Sequence, residues 1–186
     1  YVGNRAGEKI MAGHIRRGHN ETMNAAIWLS DLRGFTSLSD RLPAETVVDI
    51  LNRYFDCQVA AIRNHGGEVL KYMGDGLLAV FPADEYVGDE QQVCSRVLEA
   101  ARESRASVEA MQYPIGDTIE RFRFGVALHV GPVLYGNIGG GTRLDFTCIG
   151  PAVNLAARLE KLTGRLQRTI VASEGFAGIC SGGWSD

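Results

Sequence analysis

Hydrophobic positions along this chain alternate between two spacings. Short, nearly continuous apolar runs recur at Ala25–Ser30, Val69–Met73, Leu77–Phe81, Phe122–Val130, Val133–Tyr135, Leu144–Ile149 and Thr169–Ala172. Runs of that length, bounded by turn residues, predict buried strands. Between them the apolar residues fall at helical spacing. Pro43 suits the first turn of a helix whose stripe is Val47, Leu51, Phe55 and Val59, with Ile50, Tyr54 and Ile62 beside it. His65-Gly66-Gly67 ends that helix. A second stripe, Val93, Val97, Ala101, Val108 and Met111, stops before Pro114. A third helix begins at Gly150-Pro151, runs to Leu162 and is closed by Gly164, and Leu38–Arg41 predicts a short helical piece. Gly131-Pro132 predicts a turn between two strands.

The predicted order is β-α-β-β-α-β-β-β-α-β. Its first six elements match the ferredoxin-like β-α-β-β-α-β unit, an α+β core with its helices on one face of an antiparallel sheet. Extra strands and a third helix follow. Such a fold hosts many functions and indicates none by itself.

The turns carry more chemistry than the runs. Asp75-Gly76 lies between Val69–Met73 and Leu77–Phe81, a strong signal for a hairpin with a type I′ turn. Alone, Asp75 reads as a turn residue. A second acidic turn changes that reading, because Ile27-Trp28-Leu29-Ser30 also runs into an aspartate, Asp31, and then a glycine, Gly34. Two aspartates at the ends of neighbouring core strands, beside glycine-rich backbone, are what a magnesium–phosphate site requires.

Composition narrows the class. The 186 residues suffice for one domain, 25–186, with 1–24 as a polar, glycine-spotted lead-in containing Arg16-Arg17. A net charge of −3 argues against a nucleic-acid partner held by phosphate contacts. Cys57, Cys94, Cys148 and Cys180 are widely spaced, which predicts reduced cysteines of a cytoplasmic protein rather than a zinc site or a disulfide framework. No run is long enough to span a membrane, so no membrane contact is expected from this stretch. Tyr1 is not an initiator methionine, and a fragment of a longer chain is expected. The three lysines stand out against sixteen arginines, and Lys71 sits on an apolar strand where a solvent-facing role is the plain alternative.

Three segments, taken together and in order, resemble the class III nucleotide cyclase catalytic domain. They are Asp31-Leu32-Arg33-Gly34-Phe35-Thr36, the Lys71…Gly74-Asp75 hairpin, and Gly136-Asn137-Ile138-Gly139 followed by Asp145 to Arg158. The resemblance spans about Ala25 to Ala172. It implies that Asp31 and Asp75, with the Leu32 carbonyl, hold two Mg²⁺ (or Mn²⁺) ions. It implies that the amides of Arg33, Gly34, Phe35 and Thr36 cradle phosphates. The Arg33 side chain reads as an exposed loop residue.

On the third segment the resemblance assigns Asn154 to the ribose and Arg158 to charge on the reacting phosphorus. A solvated helix face is the plain alternative for that pair. Lys71 and Thr147 are implied to read the base, an ammonium donating to adenine N1 and a hydroxyl accepting from N6. A guanylate-selective relative typically has Glu at the Lys71 position, so ATP is the expected substrate. The family also supplies a further triphosphate lysine near the domain's C-terminus, and Lys161 does not match that position.

Sites shared across a homodimer are implied as well. One subunit gives Asp31 and Asp75; the other gives Lys71, Thr147, Asn154 and Arg158. An upstream sensor domain is the further expected partner. A guanylate cyclase, or a degenerate cyclase kept as a nucleotide-sensing or dimerisation module, remains the alternative. A diguanylate cyclase is disfavoured because the hairpin turn reads Gly74-Asp75-Gly76.

Overall fold

A computed structural model describes residues 20–83, 90–140 and 143–180. The Arg16-Arg17 cluster and most of the acidic loop after Ala83 lie outside the described residues. The elements are β1 (Asn20–Leu32), α1 (Phe35–Arg41), α2 (Ala44–Asn64), β2 (Glu68–Met73), β3 (Gly76–Pro82), α3 (Glu90–Ala110), β4 (Gln112–Ile115), β5 (Thr118–Arg121), β6 (Phe124–Gly140), β7 (Arg143–Ile149), α4 (Pro151–Leu166), β8 (Ile170–Ala172) and α5 (Glu174–Ile179). The main sheet runs β2-β3-β1-β6-β7, with β8 joined in parallel to β6. Its first four strands are those of the ferredoxin-like unit, in that unit's order.

Alternation along β1 divides the core in two. Ala26, Trp28 and Leu32 face α2 and α3, where Ile50, Tyr54, Ile62, Val93, Val97 and Val108 pack with Phe81 and Phe124. Ala25, Ile27 and Leu29 face the opposite side, with Leu78, Val80, Val133 and Tyr135. Ala152 and Ala156 of α4 pack into that second cluster. The two helices of the ferredoxin-like unit share one face as expected; the third helix covers part of the other. It approaches closely because β6 presents glycine there. A Cβ at Gly125 would lie 2.0 Å from Thr163 Oγ1, and one at Gly131 would lie 3.3 Å from the Ala152 methyl.

Several local expectations are corrected. β1 starts at Asn20, five residues early, because Asn20–Asn24 pair with Pro132–Gly136. Gly131-Pro132 makes no turn; β6 runs through it. The Asn24 carbonyl accepts from the Ala83 amide at 2.9 Å, so Asn24 points to β3, and its partner Pro132 points its nitrogen away from β1. On that side β8 pairs only with Val126–Leu128 and β7 only with Leu134–Gly140. The missing N–H therefore falls in a gap in the ladder.

The β4–β5 hairpin was not anticipated, being short and mostly polar, with Gly116 at φ 57 in its turn. α4 continues through Gly164, where an added Cβ would meet nothing within 4 Å, and ends at Gln167 in the left-handed region. α5 was also not anticipated; Ser173 caps it by accepting from the Phe176 amide at 3.2 Å. All four cysteines are free thiols. Among the described residues no helix is long and apolar enough to cross a membrane.

Candidate active site

The pairing of β1 with both neighbours brings the acidic turns together. Ser30 lies opposite Leu77, so Asp31 falls beside Gly76 at the start of β3. The β2–β3 hairpin closes with Met73 opposite Gly76, which makes Gly74 and Asp75 its two central residues. Only Gly74 has positive φ, at 65°. That is where a type II′ turn takes its glycine, so the expected type I′ turn on Asp75-Gly76 is displaced by one residue. Gly76 serves by lacking a side chain: a Cβ there would lie 3.2 Å from the Ser30 carbonyl. Beneath, buried Ser30 donates to Gln58 Oε1 at 2.6 Å and ties the end of β1 to α2.

Asp31 and Asp75 are thereby held in hydrogen-bond contact. Burial first, then that bond and the Asp75 charge, push the Asp31 carboxyl up to about 7, with the Glu160 charge adding to the rise. A hydrogen bond with the Leu32 backbone acts the other way. The Glu160 carboxyl is itself raised, chiefly by burial, while neighbouring Lys161 lowers it. Among the described residues no three His, Cys, Asp or Glu side chains converge as a ready-made metal site. The donors present are hard oxygens, two of them on carboxylates that resist sharing negative charge. This set fits Mg²⁺ or Mn²⁺ completed by substrate phosphates, and a divalent cation would relieve the repulsion.

The loop after Asp31 departs from expectation at Arg33. Its amide donates to the Arg123 carbonyl at 2.9 Å and is therefore not available to a phosphate. Its side chain is half-buried rather than exposed, and Nη2 donates to the Thr163 carbonyl at 2.7 Å and to the Arg168 carbonyl. Gly34, at φ 74, starts α1 without a side-chain cap, and Leu38 donates back to the Gly34 carbonyl. The Phe35 and Thr36 amides thus remain without intrahelical acceptors.

A cleft of about 580 Å³ joins these parts, lined by Asp31 to Thr36, Asp75, Arg123 and, from α4, Glu160 and Lys161. Sequence reasoning did not place Arg123, Glu160 or Lys161 there. The signal available for Arg123 was its position just before a buried strand; for the other two it was proximity to Arg158. Lys71, Thr147, Asn154 and Arg158 do not line this cleft. Lys71 is exposed on β2, and Thr147 is half-buried on β7 opposite Gly136. Asn154 and Arg158 are exposed, one turn apart, on α4. Across the second sheet face the Tyr135 hydroxyl lies 3.5 Å from the Glu68 carboxylate of β2.

Residues 18–175 match the adenylate and guanylate cyclase catalytic domain. The chain belongs to that family. An adenylate cyclase of Anabaena cylindrica is 33% identical over 162 residues, which are 87% of this chain and 32% of that protein. A bacterial light-regulated adenylyl cyclase superposes with a TM-score of 0.83 at 27% identity, covering 99% of this chain and 53% of the other. The guanylyl cyclase Cya2 gives 0.67 at 30% identity, covering 88% and 81%. The chain spans no more than about a third of the length of the curated relatives it matches. The cyclase domain is thus similar to enzymes of both base preferences.

Proposed function

We propose that this cyclase domain closes ATP to 3′,5′-cyclic AMP and pyrophosphate, at two sites shared by a pair of identical chains. The observation that carries the proposal is the division just described. One chain gathers Asp31, Asp75 and the phosphate loop into a cleft and leaves Lys71, Thr147, Asn154 and Arg158 outside it. Each incomplete half fits the complementary half of a two-fold related copy.

Asp31 and Asp75, with the Leu32 carbonyl, would hold two Mg²⁺ or Mn²⁺ ions, which supply activation of the ribose 3′-hydroxyl and charge neutralisation at the leaving pyrophosphate. The Phe35 and Thr36 amides, with Gly34 opening the loop, donate to phosphate oxygens. Arg123 and Lys161, which line the same cleft, add positive charge there. From the second chain, Asn154 orients the ribose, and Arg158 donates to the phosphoryl oxygens as negative charge builds on them. Lys71 donates to adenine N1 and Thr147 Oγ1 accepts from N6, the pairing that favours ATP over GTP. Control by a sensor domain joined to the cyclase domain fits the same reading.

The test is to mix inactive Asp31→Ala chains with inactive Arg158→Ala chains and measure ATP-dependent pyrophosphate release. Random exchange gives half mixed dimers, each with one intact site, so activity should return to about a quarter of wild type. No recovery at any ratio would show a site built within one chain. Preference for GTP in the wild-type protein would reverse the base assignment alone.

A further inference from the structure

Arg33 links two groups that the proposed reaction uses in different places. Its backbone continues directly from Asp31 and Leu32 and is anchored by the amide bond to Arg123. Its side chain crosses to the C-terminal end of α4, where one nitrogen serves the Thr163 and Arg168 carbonyls. The Thr163 carbonyl also accepts from the Gln167 and Arg168 amides, which close the helix. Helix-end carbonyls carry partial negative charge, and a guanidinium there satisfies both hydrogen bonding and the dipole.

Thr163 is held from the other side too. Its side chain sits against Gly125, where no Cβ would fit. The end of α4 is therefore clamped between the sheet and a residue 130 positions earlier in the chain. Arg158 lies five residues before Thr163, roughly 7.5 Å along a rigid rod. A shift of the clamped end moves Asn154 and Arg158 with it.

We propose that Arg33 is a positioning residue coupling the two active sites of a dimer. It sets the placement of the helix whose Asn154 and Arg158 serve one site, while its own loop carries Asp31 for the other. This rests on the shared-site reading. It predicts that loss of Arg33 damages a site to which that chain contributes no metal ligand.

The subunit mixture isolates this effect. In a dimer of one Asp31→Ala chain and one Arg158→Ala chain, the intact site takes Asn154 and Arg158 from the Asp31→Ala chain. Arg33→Ala is added to that chain alone, where the Asp31 loop is already inactive and Arg33 can act only through α4. We expect kcat of the mixture to fall about tenfold to a hundredfold, the penalty of a misplacement on the order of 1 Å. KM for ATP should stay within about twofold. Arg33→Lys at the same place, keeping charge and donors, should recover most of the rate. Hydrogen exchange at amides 164–168 should quicken in the Ala variant, with melting close to that of the parent. An unchanged kcat overturns the coupling and leaves Arg33 a residue of its own loop. A fall that Lys does not relieve, accompanied by a collapse in melting temperature, overturns it in favour of a folding role. Failure of the parent mixture to recover any activity overturns the shared-site reading, and the coupling with it, before Arg33 is changed.

Discussion

The two halves of the proposed site are made in opposite ways. The acidic half is built into the chain: Asp31 is half-buried beside Asp75, and the surrounding loop is fastened to α4 and to Arg123, just ahead of β6. The base-reading half is laid on the outside, with Lys71, Asn154 and Arg158 exposed on β2 and α4. The acidic half holds its repulsion in the folded chain. The other half costs the monomer little, because exposed Lys and Arg stay hydrated. The contrast teaches that preorganisation is concentrated where like charges must be forced together, while groups that meet charge only across an interface can wait in solvent.

The sharpest way to break this contrast is to remove one member of each half. Asp31→Ala or Asp75→Ala should lower turnover by roughly a thousandfold or more, since cation-borne charge stabilisation is worth several kcal/mol. Circular dichroism should remain that of the wild type. Arg158→Ala should cost about a hundred- to a thousandfold in kcat. It should leave Mn²⁺ binding, followed by titration calorimetry, unchanged; weakened Mn²⁺ binding would mean the halves are not separate.

The base-reading half is probed next by Lys71→Glu. Replacing the donor with an acceptor should reduce ATP kcat/KM by about 10- to 100-fold relative to GTP, the worth of one hydrogen bond to a charged group. Equal losses for both nucleotides would take Lys71 out of the pocket.

Gly125→Ala tests whether the outer half depends on the core beneath it. The added methyl would meet Thr163 at 2.0 Å, so α4 must move. We expect a stability loss of about 1–3 kcal/mol, read as a drop in Tm. A fall in kcat should accompany it, although Gly125, which lines the cleft, has no side chain to offer either half. An unaltered rate would mean that α4 can shift without consequence.

The smallest effect should be one of pH on stability. The Asp31 carboxyl, ordinarily near 3.8, titrates near 7 in the folded protein. Between those values the folded state binds more protons than the unfolded one, so stability falls as pH rises. Without divalent cations, wild-type Tm should decline from pH 4 to 7 and then level, apart from other titrations. Asp31→Asn should remove that decline and melt higher than the wild type at pH 8 while being inactive. A wild-type Tm that rises across this window, by an amount Asp31→Asn abolishes, would reverse the assignment.

What could be read in the sequence follows burial. β1, β3 and the first part of β6 carry apolar runs because both their faces are covered there, and α2 and α3 carry stripes because one face is. β4 and β5 are mostly exposed or half-buried and carry no such pattern. Pro132 misled because its meaning depends on which side of β6 lacks a partner. Asp31 and Asp75 were legible because each ends an apolar run at a turn. The role of Arg33 was not legible, since its acceptors lie at the end of a helix 130 residues away. Glu160 and Lys161 entered the cleft by the same docking of α4, which glycines 125 and 131 permit and no local pattern announces.

The pairing of β1 with β6 also has a consequence during synthesis. β1 meets β3 at residues 77–82, but its thirteen-residue ladder to β6 joins Asn20–Leu32 to Phe124–Gly136. The last residues of β1 and the first of β6 are about 90 residues apart in the chain. At ribosomal speeds of roughly 5–20 residues per second, one edge of β1 lacks its partner for roughly 5–20 s. That edge runs along a continuous apolar stretch, Ala25–Leu29, and is open to pairing with other nascent chains. Chaperone demand on this domain should therefore be set by the delay before β6 emerges, more than by the stability of the finished sheet.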